Sequence, residues 1–108
     1  MNCDMIQIVT TTETREQAGQ IASMLVERRL VACVQIVGPI ESTYRWKGKV
    51  ERSEEWRVEA KTRGDRFDSV ARAIQEIHPY EEPELIALPI VDASEGYRRW
   101  VYEQTDTQ

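Results

Sequence analysis

Apolar positions along this chain switch between the period of two expected of a strand and the period near 3.6 expected of a helix. Met5–Thr11 (MIQIVTT) is rich in β-branched residues and reads as a strand. Thr14 then stands where an N-cap belongs, with Gln17 three residues on, the spacing of a capping box. Ala18, Ile21, Ala22 and Leu25 follow at helical spacing, and Glu27-Arg28-Arg29 is expected to close that helix with positive charge.

A long extended region, Leu30 to Trp46, comes next, interrupted by Gly38-Pro39, which predicts a bend or bulge in a strand. After a Lys47-Gly48 turn, a second arm runs from Lys49 to Thr62. In it Trp56, Val58 and Ala60 alternate with Glu55, Arg57, Glu59 and Lys61, so one face is buried and the other polar. Asp65 is placed to cap a second helix carrying Phe67, Val70, Ala71, Ile74 and Ile77 on one stripe. Pro79 forces His78 out of the helical region, so that helix ends near Ile77 or His78. Leu85–Val91 is the last strand, and Pro89 within it predicts an edge position. Ser94 starts a terminal helix with Tyr97, Trp100 and Val101 at helical spacing.

The order β-α-β-β-α-β plus a terminal helix predicts an α+β fold, the ferredoxin-like split arrangement with helices on one face of an antiparallel sheet. Each arm of the central hairpin is roughly 14 residues, about 45 Å at the rise of a strand. A helix of similar length covers only about 20 Å. The hairpin should therefore overhang its helices and carry Tyr44, Trp46 and Val50 into contact with another copy of the chain.

The 108 residues make one domain, residues 1–108, with a core large enough to need neither a disulfide nor a structural metal. A net charge of -5 argues against a nucleic-acid partner, which needs a basic face. Tyr44 and Trp46 could serve as a base-stacking platform, but Glu54, Glu55 and Glu59 surround the matching strand, so the aromatics read as interface anchors. No apolar run approaches the roughly 18 residues of a transmembrane segment. The opening MNCDMIQIV lacks the pattern of a secretion signal, and the two cysteines are too few for a secreted disulfide scaffold. Cys3 and Cys33 read as reduced thiols in a cytoplasmic protein, Cys33 as a buried structural residue within LVACVQIV.

Taken together, LVACVQIVGPIESTYRWKGKVERSEEWRVEAKT, then HPYEEPELIALPI and a terminal GYRRWV resemble the divalent-cation tolerance family CutA across Met5 to Tyr102. The specific elements are Ala32-Cys33, the Ser-x-Tyr-x-Trp-x-Gly segment from Ser42 to Gly48, Lys61-Thr62, and His78-Pro79-Tyr80 followed by Pro83-Glu84. The resemblance implies a homotrimer of ferredoxin-like subunits with long hairpins packed between neighbours. It is similar in this to PII-type signalling trimers, which bind small effectors in intersubunit clefts. It also implies a link to copper and other divalent-metal tolerance, and in some organisms to the anchoring of membrane proteins. Members proposed to bind copper carry a cysteine in the first strand and two consecutive histidines before Pro-Tyr. The matching positions here are Thr10 and Ile77, which leaves His78 alone.

His78, the only histidine, lies in EIHPYEEPEL between a proline-terminated helix and two carboxylates. With Cys33 it supplies the soft candidates for a metal such as copper, and Glu81, Glu82 or Glu59 the oxygen donors. The bland alternative is an imidazole bonded to the last carbonyls of its helix. The polar constellation Glu59, Lys61, His78, Tyr80 and Glu81, with Tyr44 and Trp46 on the hairpin, is the candidate ligand cleft between subunits, for a small anion or carboxylate-bearing ligand. The same residues could instead form interface salt bridges that make a purely structural trimer. An enzyme using His78 and Glu81 as acid and base is the third reading. Phosphate loops, nucleophile elbows and paired metal-ligand motifs are absent from the sequence, so no cofactor is required and the chain reads as non-enzymatic.

Overall fold

A computed structural model describes residues 4–105, so Cys3 lies outside the described residues. β1 (Met5–Thr12) leads into α1 (Arg15–Glu27), then the paired strands β2 (Cys33–Trp46) and β3 (Lys49–Arg63). α2 (Phe67–Ile77), β4 (Ile86–Pro89) and α3 (Glu95–Gln104) complete the chain. The strands form one antiparallel sheet in the order β2-β3-β1-β4, the ferredoxin-like topology, which leaves β2 and β4 at its edges.

α1 begins as its sequence requires. Thr14 Oγ1 accepts from the Gln17 N–H at 3.1 Å, and Gln17 Oε1 accepts from the Thr14 N–H at 3.2 Å. Its end differs from expectation, because the last turn holds no basic residue. Arg28 is the C-cap, and Arg29 takes a left-handed conformation with φ 59°. The Arg29 N–H then reaches the Val26 carbonyl and the Leu30 N–H the Leu25 carbonyl, both at 3.0 Å. Backbone closure of the Schellman type, not charge, terminates this helix.

α2 is also entered differently. A 3-10 turn, Gly64–Arg66, intervenes, so Asp65 caps nothing and instead pairs with Arg63 at 3.2 Å and Arg66 at 3.7 Å. The buried stripe is Val70, Ala73 and Ile74; Ile77, the last helical residue before the chain turns, is exposed.

Ile6, Ile8, Val58 and Ala60 on one sheet face pack against Ile21, Leu25, Val70 and Ile74 of α1 and α2. α3 departs from the one-face expectation. Ser94 caps it through the Tyr97 N–H at 3.3 Å, and it docks at one end of the opposite face, where Val101 joins Met5 and Ala32 in a second cluster. The last strand is shorter than Leu85–Val91 but is an edge, and Pro89 closes it.

The hairpin overhangs. β1 pairs with β3 only from Arg63 to Trp56, so among the described residues Lys49–Glu55 have no strand neighbour except β2, and the molecule extends 44 Å along its longest axis. The predicted bulge is present: Val37 opposes Arg57 and Ile40 opposes Glu55, one extra residue on β2. Because side chains alternate along a strand, this insertion moves Ser42, Tyr44 and Trp46 to the face that carries Glu55, Glu59 and Lys61. Gly38 is required there, since a Cβ would stand 2.5 Å from Trp56 Cε3 and 3.2 Å from the Glu55 carbonyl oxygen.

Candidate functional site

The segment after α2 crosses the edge of β1 beyond the point where β4 stops pairing. His78 anchors it. Only 9% exposed, its ring places Nε2 2.8 Å from the Thr11 carbonyl oxygen, while Nδ1 accepts from the Tyr80 N–H at 3.1 Å. A carbonyl only accepts, so Nε2 carries the proton and the ring is the neutral tautomer. Burial lowers the His78 pKa, against smaller opposing effects of the Thr11 carbonyl and Glu55. The bonds run to β1 and to the following loop, not to the carbonyls of its own helix. With both nitrogens engaged, a metal at His78 would have to displace one of them.

Tyr80 turns back over the sheet, and its hydroxyl donates to Glu55 Oε2 at 2.7 Å. Burial first, then this bond, keep the hydroxyl protonated well above the ordinary range of a tyrosine. Glu55 belongs to the polar face of β3, as its alternation predicts, yet it is only 7% exposed. It is the residue that sequence reading did not single out; it pairs with Ile40, the first β2 residue in register after the bulge.

Above Glu55 opens a cleft of about 650 Å³. The hairpin supplies one wall, with Ser42, Thr43, Tyr44 and Trp46. The loop supplies the other, with Tyr80, Glu81, Glu82 and Glu84, and Thr11 and Glu55 lie between them. Tyr44, Trp46, Tyr80 and Glu81 are thus brought together, while His78 stands behind Tyr80 and positions it. Glu59 and Lys61 do not line this cleft. Glu59 pairs with Arg57 at 2.8 Å and Lys61 donates to Gln35 Oε1 at 2.6 Å, further along the same face.

Cys33 is half-buried rather than enclosed, and its Sγ lies 3.3 Å from the Tyr97 hydroxyl. That contact and burial push the Tyr97 pKa up to about 12, burial being the larger cause. Cys33 opposes Lys61 and Thr11 opposes Arg57, which separates Cys33 from the carbonyl that holds His78 by about 13 Å along β3. The two soft donors therefore do not meet within a subunit. Among the described residues, no three His, Cys, Asp or Glu side chains gather as a metal-holding group.

Residues 6–104 match the family model described as CutA1 divalent ion tolerance protein. The chain is 39% identical over 98 residues to a divalent-cation tolerance protein CutA of Thermus thermophilus, covering 91% of this chain and 95% of that one. It is 36% identical over 97 residues to Protein CutA of Mus musculus, covering 90% of this chain but spanning only 55% of the mouse protein. The crystal structure of CutA1 from Shewanella sp. SIB1, described as a stable protein, superposes with a TM-score of 0.95 at 32% identity, covering 99% and 100% of the two chains.

Proposed function

Because the chain belongs to the CutA1 divalent ion tolerance protein family, we propose that it acts as a cytoplasmic, non-enzymatic homotrimer. In this reading it contributes to tolerance of divalent cations such as copper by holding a metal or small ligand in clefts between subunits. The observation that carries the reading is an unfinished sheet edge beside an open cleft. All four residues of β4 are exposed, including Ile86 and Leu88 at 45% and 44%, although three of the four are aliphatic or small apolar side chains. An apolar edge strand of this kind invites pairing with another chain. The two-stranded overhang of β2 and β3 is marginal alone and gains stability when a neighbour covers it. Two copies added around a cyclic axis would bring hairpin and edge together and enclose the Tyr44–Tyr80 cleft.

The cleft presents carboxylate, hydroxyl and phenol oxygens, and among the described residues its lining contains no lysine, arginine or histidine. This favours a cationic occupant over the anion that Lys61 had pointed to. The reading is tested by expressing the chain in a host that lacks its own family member and measuring growth on raised copper. Restored growth, lost again on replacing Ile86 and Leu88 by aspartate, is expected. Absence of rescue at matched protein level would overturn it.

A further inference from the structure

The cleft carries more information about its occupant than charge sign alone. Glu55 is 7% exposed, it lines the cleft, and its single hydrogen bond leaves Oε1 without a partner among the described residues. No salt bridge reaches it among those residues. A carboxylate so placed offers the cleft a negative charge that holds only one neutral donor. A cation entering the cleft would gain a charge-assisted bond there. Tyr44, Trp46 and Tyr80 surround the same space, and aromatic faces attract an organic cation while covering an alkyl chain. Glu81, Glu82 and Glu84 stand on the exposed loop at the mouth.

A bare metal ion fits this layout poorly. Its donors must converge within a coordination sphere, and no such group of three forms among the described residues. The acidic groups are instead spread over a cleft of about 650 Å³, a volume usual for organic ligands. One cationic end is called for at the buried carboxylate and a second at the acidic mouth, with an apolar span between aromatic walls.

We propose that this cleft binds an aliphatic diamine or polyamine, one ammonium donating to Glu55 Oε1 and another facing Glu81, Glu82 and Glu84. The proposal rests on the ligand-cleft reading above and names the ligand class for it.

The test is an isosteric series of four-carbon probes, 1,4-diaminobutane, 1,4-butanediol and succinate, titrated calorimetrically into the full chain at fixed protein concentration. Binding of the diamine alone is expected. Glu55→Gln should weaken it by about tenfold or more, because a charge-assisted bond becomes a neutral one. Should Glu55→Gln fail to fold, Tyr44→Ala on the exposed hairpin is the second variant and is expected to weaken binding similarly. Glu27→Gln, on the end of α1 away from the cleft, controls for general attraction to an acidic protein. Binding of succinate, diamine binding unchanged in both cleft variants, or equal weakening by Glu27→Gln would each overturn the proposal. The mass of the same sample, read by light scattering, separates the two levels. A trimer that ignores the diamine removes this inference alone, whereas a monomer removes the intersubunit cleft.

Discussion

Replacing His78 by alanine separates a ring that holds the fold from a ring that waits for a metal. The substitution removes two hydrogen bonds, to the Thr11 carbonyl at 2.8 Å and from the Tyr80 N–H at 3.1 Å. Each abandoned backbone group costs about 1 kcal/mol where water can reach it and up to about 3 where it cannot. The ring is 9% exposed, so lost packing adds to this, and a total near 3 kcal/mol is expected. The measurement is denaturant unfolding in a metal chelator at fixed protein concentration, which removes both metal linkage and mass-action effects. His78→Asn keeps an acceptor near Nδ1 and His78→Gln keeps a donor near Nε2. Each should recover part of the loss. A loss below about 1 kcal/mol for the alanine variant in chelator would refute the anchoring role, since a buried and a half-buried backbone partner would both be abandoned.

Other expectations follow from the same contacts. His78 is neutral when folded and its pKa is lowered from 6.5, so the stability it contributes is present above pH 6.5 and lost as pH falls through the lowered native value. Unfolding measured across that window should show this decline in the wild type and a shallower one in His78→Gln. Gly38→Ala places a Cβ 2.5 Å from Trp56 Cε3 and should cost about 1–3 kcal/mol in thermal or denaturant unfolding; a neutral result would remove the packing reason for the glycine. Among the described residues Thr10 Oγ1 is buried without a partner, so Thr10→Val should be neutral or stabilise by about 1 kcal/mol, and a clear loss would reveal an unseen bond.

The topology was legible because its signals are local and periodic. Alternation around Val58 and Ala60, the Thr14–Gln17 box, Ser94 and Pro79 each mark an element by its own chemistry, and all of them appear as expected. The helix ends were read less well. Arg28 and Arg29 offered charge as a terminator, but a left-handed Arg29 closes α1 through the backbone, which charge pattern does not encode. Asp65 has the right chemistry for a cap but sits in a 3-10 turn one step too early.

Site residues divide along the same line. Tyr44, Trp46, Tyr80 and Glu81 share a cleft because the bulge at Gly38-Pro39 reverses the facing of the outer hairpin. Glu55 was hidden, since alternation places it on a polar face and cannot say that Tyr80 will fold across it. Lys61, on the same sheet face, lies outside this cleft in the single subunit. A charged residue on the correct face has nothing in its sequence to show that Gln35, across the hairpin, already holds it.

The central claim is that this chain is completed by copies of itself, and its mass in solution tests that most directly. Light scattering on dilute protein should give about 38 kDa, three times the 12.6 kDa of one chain. Ile86→Asp with Leu88→Asp should drive that mass toward the monomer. A wild-type chain that stays near 12.6 kDa would contradict the account, leaving the apolar edge and the overhanging hairpin without their partner.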